Sequence, residues 1–175
     1  LKNFNLRLVA GMSYVAVANG VLDPNSFAAN PDGKDTAFGL FINAMGRESA
    51  VDAGNVDFAV LHGSTDAPTV DVVARDAGTL VDNAMYGDFT GYLSVSPAAY
   101  TLDITDESGS VVVATFEADL SGLAGGAAVV FASGFLAPSA NGDGPAFGLY
   151  AALPTGDVVM FPALTTARLQ VIHNS

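Results

Sequence analysis

Short apolar runs of roughly four to eight residues, rich in Val, Phe and Tyr, recur at close intervals along the chain, with Gly, Pro, Asn and Asp between them. That spacing predicts an all-β protein. Strands are expected near residues 6–10, 13–19, 38–43, 56–62, 69–74, 91–95, 100–105, 111–117, 128–133, 147–152, 158–161 and 168–173. Alternation is cleanest in residues 100–105, where Tyr100, Leu102 and Ile104 share one face and Thr101, Asp103 and Thr105 the other, so one side of that strand is expected to meet water. Residues 111–114 and 128–131 are apolar on both faces, the pattern of central strands or of strands covered by a neighbouring domain. Asp106-Glu107-Ser108-Gly109 reads as a hairpin turn and Ser96-Pro97 as a break.

The pattern also repeats. Gly11-Met12-Ser13-Tyr14-Val15-Ala16-Val17-Ala18-Asn19-Gly20-Val21-Leu22-Asp23-Pro24 returns at positions 125–138. Ala37-Phe38-Gly39-Leu40-Phe41 returns as Ala146-Phe147-Gly148-Leu149-Tyr150, and Phe58-Ala59-Val60-Leu61-His62-Gly63-Ser64 returns as Leu169-Gln170-Val171-Ile172-His173-Asn174-Ser175. Three ordered blocks at nearly one period predict a tandem repeat of about 110 residues per unit. In that phase residues 1–50 hold the C-terminal half of one unit, 51–164 a complete unit, and 165–175 the first strand of the next. Half a sandwich leaves strand edges unpaired and an apolar face bare. Two arrangements satisfy it: the chain is an excerpt of a longer array, or a terminal strand, with Leu169, Val171 and Ile172 as its apolar residues, completes the first half of another copy and builds a head-to-tail filament.

Composition narrows the class. The 175 residues carry 18 Asp+Glu against 6 Lys+Arg, a formal net charge of -12, and no Cys. Disulfides, thiolate metal sites and cysteine nucleophiles are excluded, and the acidic surface argues against a nucleic-acid or anionic-membrane partner. Half the residues are apolar and only 14% are charged, against about 25% in an ordinary domain, which excludes disorder. Fifteen of the acidic residues are Asp, a turn residue. The weakly polar stretch at residues 123–138 contains three Gly and falls short of the roughly 20 apolar residues of a membrane span, so membrane insertion is not expected. The opening Leu1-Lys2-Asn3-Phe4 has neither an initiator Met nor a basic leader, the expectation being that a signal peptide is already gone or lies outside these residues.

Residues 60–72, Val-Leu-His-Gly-Ser-Thr-Asp-Ala-Pro-Thr-Val-Asp-Val, followed by Tyr86-Gly87-Asp88-Phe89-Thr90-Gly91-Tyr92-Leu93 and Ser96-Pro97-Ala98-Ala99-Tyr100-Thr101-Leu102, resemble the repeat family catalogued as domain of unknown function 4397. The resemblance spans residues 56 to 152. It implies an immunoglobulin-like or transthyretin-like β-sandwich, in tandem, in secreted or surface-attached prokaryotic proteins. No catalytic residues come with it. Ala99 departs from the Gly usual in the family's Pro-Ala-Gly turn.

His62, Ser64 and Asp66 invite a triad. Alternate strand positions lie about 6.6 to 6.8 Å apart, too far for nucleophile and base to meet without a sharp turn. A structural role fits better: Ser64 or Asp66 accepting backbone N–H groups in a turn set by Pro68, with Asp71 closing the motif and His62 on a loop carbonyl. The recurrence of His62 as His173 favours that role. Calcium is the one cofactor to weigh, with Asp32, Asp35, Asn141 and Asp143 in corresponding Gly-rich loops and Asp66 with Asp71 as a fainter pair; neither loop has EF-hand spacing, and a solvated turn is the default. Tyr86, Phe89, Tyr92 and Tyr100 suggest a sugar platform, but Trp is absent and a sandwich core needs those positions. The expectation is a non-enzymatic structural or adhesive module of an extracellular, cell-surface protein or fibre, partnered by other copies or neighbouring repeats. The contrasting expectations are a filament subunit completed by strand donation, and a secreted hydrolase or carbohydrate-binding domain centred on His62 and Asp66.

Overall fold

The computed structural model describes residues 3–165. Eleven strands form three sheets among these residues: β1 (Val15–Asn19), β2 (Gly39–Asn43), β3 (Val56–His62), β4 (Val70–Ala74), β5 (Gly78–Ala84), β6 (Leu93–Val95), β7 (Ala99–Asp106), β8 (Val112–Asp119), β9 (Ala127–Ser133), β10 (Gly148–Ala152) and β11 (Val158–Met160). β1 and β2 pair as an antiparallel ladder. A mixed five-stranded sheet runs β11-β10-β9-β3-β6, with β3 and β9 parallel at its centre, and an antiparallel four-stranded sheet runs β5-β4-β7-β8. The chain is all-β, its only helical pieces among the described residues being the single 3-10 turns Pro24–Ser26 and Pro138–Ala140.

The two larger sheets face each other over one apolar core. Phe58, Val60, Ala128, Val130 and Leu149 come from one sheet; Val72, Leu102, Ile104, Phe116 and Ala118 come from the other. Each is an inward position of a period-two strand. The opposite side of β3 is sealed as well: Asp57, Ala59 and Leu61 are all at most 1% exposed. A charge there demands partners, and Asp57 has them in the Arg47 guanidinium at 2.5 Å and the Val51 amide at 3.0 Å. Burial pushes the Asp57 pKa up, but these donors and Ser94 outweigh it and hold the carboxyl below its ordinary value.

The segments 15–43 and 127–152 share a local geometry. In each, a Gly of positive φ ends the first strand (Gly20 at 95°, Gly134 at 84°), a 3-10 turn follows, and the next strand returns alongside. The same crossing bonds close both: Val21 N–H to Thr36 O and Phe38 N–H to Val21 O in one, Phe135 N–H to Pro145 O and Phe147 N–H to Phe135 O in the other. A Cβ at Gly134 would lie 2.3 Å from Ala146 O, and one at Gly20 2.7 Å from Thr36 O. Only glycine fits either crossing.

Four strand expectations need correction. Residues 6–10 form no strand; Leu6, Leu8 and Val9 are exposed, and alternation without a partner makes no ladder. β5 is absent from the expected set, because Gly78-Thr79-Leu80-Val81-Asp82-Asn83-Ala84 is polar and irregular: its register against β4 slips twice, and Asn83 sits at φ 51°. The outer face of β7 is not open to water. Asp103 and Thr105 are buried, Asp103 beneath a bidentate ion pair with Arg75 (2.7 and 2.8 Å) and a 2.6 Å bond from Thr115. Arg75, then Thr115, lowers the Asp103 pKa against the opposing effect of burial. Finally, Val111, Val112 and Val113 are exposed within this chain at the start of an edge strand, not in the centre of a sheet. Residues 128–131 do lie in the central β9, as the same pattern predicted.

Candidate functional site: a polar joint

The chain leaves β3 at His62 and crosses the end of β9 through Gly63, where a Cβ would stand 2.6 Å from Ala132 O. It then makes a loop that is almost wholly buried: Ser64 is 0% exposed, Ala67 1% and Asp66 9%. A buried loop has backbone groups that no ladder satisfies, so its bonds must come from elsewhere.

They come from two sides. On one side stands the β9–β10 connection. Asp66 accepts the Leu136 and Ala137 amides, each at 2.9 Å, and the Asn141 side-chain amide at 2.8 Å. Ser64 donates its hydroxyl to Gly134 O at 2.7 Å; one O–H bonds one acceptor well, so its 3.4 Å approach to Asp66 is secondary. On the other side stands the β1–β2 connection. Asn30 donates to Thr65 O and Ala67 O, both at 3.0 Å, while its own carbonyl takes the Asp32 and Lys34 amides. Asn19 donates to Gly63 O at 2.9 Å, and Asp32 accepts the Thr69 amide and hydroxyl at 2.6 and 2.9 Å. The two connections also touch directly, through the Ala28 amide on Asn141 Oδ1 at 2.9 Å and a stacked Phe27–Phe135 pair. The loop is thus clasped between two loops of like geometry.

His62 closes the base of the loop. Its Nε2 lies 3.0 Å from Pro68 O, and a carbonyl only accepts, so Nε2 carries the proton. Nδ1 is buried with no partner, as is the Tyr86 hydroxyl, whose ring stands edge-on at 6.3 Å. Burial, opposed in part by the Pro68 carbonyl, pushes the His62 pKa below its ordinary value, and burial pushes Tyr86 up to about 12. Asp71 lies apart from Asp66 in function: its Oδ1 accepts the Asn83 amide at 2.7 Å and holds the bulge of β5.

This geometry leaves no proton-transfer chain. Ser64 donates to a carbonyl, Asp66 is filled by three N–H donors, and His62 faces a backbone oxygen. Nor are the calcium candidates gathered into a site. Asp32 is spent on Thr69, Asp35 accepts the Ala37 amide, Asn141 is buried in the joint, and Asp143 sits in a left-handed turn at φ 55°. Among the described residues no three His, Cys, Asp or Glu side chains are placed to hold a metal. The aromatic candidates do not make a platform: Tyr86 is buried, Tyr92 packs its ring under Arg47 and bonds the Arg47 amide, and Tyr100 donates to Ser96 O. Leu169, Val171, Ile172 and His173 lie outside the described residues. Sequence reasoning missed Asn30 and Asn19 as clamps. The signal available was the recurrence of Asn30 as Asn141, in the same phase as the other repeated blocks and in loops otherwise rich in Gly and Asp.

The family model described as Domain of unknown function (DUF4397) matches residues 56–175. The chain therefore belongs to that family. No curated protein and no solved structure matches it.

Proposed function

We propose that this chain, from a family whose activity is undefined, is a non-enzymatic structural or adhesive module of an extracellular, surface-attached tandem protein. Its units are immunoglobulin-like β-sandwiches, and the joint holds one unit to the next in fixed register. One observation carries this reading: the loop after β3 is clasped by Asn141 from the β9–β10 connection and by Asn30 from the β1–β2 connection, which on this reading belong to one unit and to the half unit before it. A residue kept for holding units together recurs in each of them, as this Asn does. The acidic exterior keeps such an array soluble and away from polyanions. The test removes the clasp from one side. Asn30→Ala with Asp32→Ala should raise amide hydrogen exchange across residues 15–43 by at least about tenfold while β3 and β9 keep their protection. Unchanged exchange in residues 15–43 would mean that the two parts are held by something else. Antibody labelling of intact source cells tests the surface location.

A second reading has its own observation. Among the described residues β1 is hydrogen-bonded on one edge only, whereas β9, with the same local geometry, has that edge filled by β3 in parallel register. A first-strand sequence from a neighbouring copy would fit there by strand addition. Residues 168–173 repeat residues 57–62 in sequence. A peptide of residues 165–175 that binds the chain, and loses binding when Val17→Pro is introduced, supports filament assembly; absence of binding rejects it.

A further inference from the structure

The core that joins the two large sheets is not full. A cavity of about 210 Å³ lies between them. That exceeds the ~150 Å³ apolar cavity that stays dry and takes up benzene or xenon, in an interior where voids larger than a water are rare. The cause is visible in the sequence. Ala118 in β8, Ala128 in β9 and Ala151 in β10 occupy inward core positions and line the void, while Phe58, Val130 and Leu149 around them are large.

The cavity also has a way out. Its lining includes Leu123 and Val159, both exposed, and the exposed Asp119. A second cleft of about 230 Å³ adjoins it, sharing Val56, Leu123, Ala128 and Leu153 and adding Glu48 and Thr155 at the surface. The path runs from a dry interior to an acidic mouth. The Asp119 carboxyl, held by Ser121, is shifted below its ordinary value and so is charged at neutral pH. Among the described residues both charged groups that line the cavity and cleft are acidic, on a chain of net charge -12.

We propose that this cavity binds a small amphiphile with a compact apolar tail, an aryl group or short alkyl chain, and a head group that is neutral or cationic. The tail fills the space left by the three alanines. The head lies in the cleft beside Glu48 and Thr155, with Asp119 on the rim of the cavity that opens into it, so a carboxylate would meet like charge. The site is separate from the polar joint, and neither depends on the other.

The test titrates the whole chain with n-octylamine, n-octanol and octanoate and follows amide shifts by ¹⁵N–¹H spectroscopy together with thermal melting. The amine and the alcohol should give saturable shifts at Ala128, Leu149 and Ala151 and raise Tm; octanoate should bind at least about tenfold more weakly, with the gap between amine and octanoate narrowing at high salt. Ala128→Phe, which fills the void, should abolish the response without lowering Tm, and Ala151→Leu serves if that variant does not fold. Absence of saturable shifts in the unaltered chain, shifts confined to other residues, or octanoate binding as tightly as octylamine would each overturn the proposal.

Discussion

Asp66→Ala is the sharpest test of the joint. The substitution deletes a carboxylate and leaves the Leu136 and Ala137 amides and one Asn141 N–H without acceptors in a site where Asn141 is 1% exposed. A buried donor left unmade costs about 1–3 kcal/mol, with bonds to a charged acceptor in the upper part of that range; the Asn141 donor is buried outright, and the Leu136 and Ala137 amides are part-buried. The three donors share one acceptor and relax together, so the loss falls short of a simple sum: about 3–5 kcal/mol for the described fold. At about 2–4 °C per kcal/mol for a chain of this size, Tm should fall by about 6–20 °C. Asp66→Asn should cost roughly half as much, because a carbonyl in the Oδ2 position still serves Ala137 and Asn141 while the amide faces the Leu136 donor. Urea denaturation of both variants, with Asn141→Ala in a double-mutant cycle, should return a coupling of about 1–2 kcal/mol. If Asp66→Ala costs less than about 1 kcal/mol with the native amide spectrum kept, the carboxylate is not the hub described here.

His62 has its folded pKa depressed by burial, so its contribution to stability is whole above the unfolded value of about 6.5 and is lost as pH falls towards the folded pKa; His62→Gln should flatten the stability slope between pH 7 and 5 relative to the unaltered chain. Asp57 and Asp103, also depressed, act in a lower window, below their ordinary 3.8, so urea midpoints measured across pH separate the two effects. Gly134→Ala, with its Cβ 2.3 Å from Ala146 O, should cost more than about 3 kcal/mol, whereas Gly142→Ala, at φ 64° with open space around it, should cost about 1–2. Asn30→Asp turns an acceptor towards Thr65 O and Ala67 O, so this variant alone should tighten as pH falls and the new carboxyl gains a proton to donate; hydrogen exchange over residues 15–43 that is equal at pH 7 and pH 4, after correction for intrinsic rates, would refute that placement.

How far the sequence carried depended on whether a feature was local. β3 was legible to the residue because Val56-Asp57-Phe58-Ala59-Val60-Leu61-His62 is a continuous run between turn residues. The hairpin at residues 106–109 was legible for the same reason, its turn made by Asp106 on the Ser110 and Val111 amides. Which strands flank which was not. Three consecutive valines at 111–113 read like the centre of a sheet, yet they open an edge strand, and nothing within the run distinguishes them from residues 128–131. Likewise Asp103 reads as solvent-facing until Arg75 and Thr115, 28 and 12 residues away, are seen to close over it. The site behaved in the same way. That His62 would meet a loop carbonyl was legible from its place where a strand runs into a loop; that Asp66 would be met by residues 136, 137 and 141 could not follow from any local pattern.

The chemistry of the joint narrows what it does. An apolar contact holds two surfaces together but tolerates sliding, because burial is non-directional. Here the junction is built from amide and carboxylate bonds of 2.6 to 3.0 Å, with Asn30, Asn19 and Asp32 on one side and Asn141, Leu136 and Ala137 on the other. Each bond tolerates little change in distance or angle, so together they fix spacing and rotation more than they add affinity. The groups that invited a triad in the sequence are engaged in the same joint: Asp66 accepts three N–H donors, and Ser64 donates its hydroxyl to Gly134 O. A site built from so many directional bonds sets geometry, and in the tandem array proposed above a fixed geometry at each junction becomes a fixed pitch for the whole.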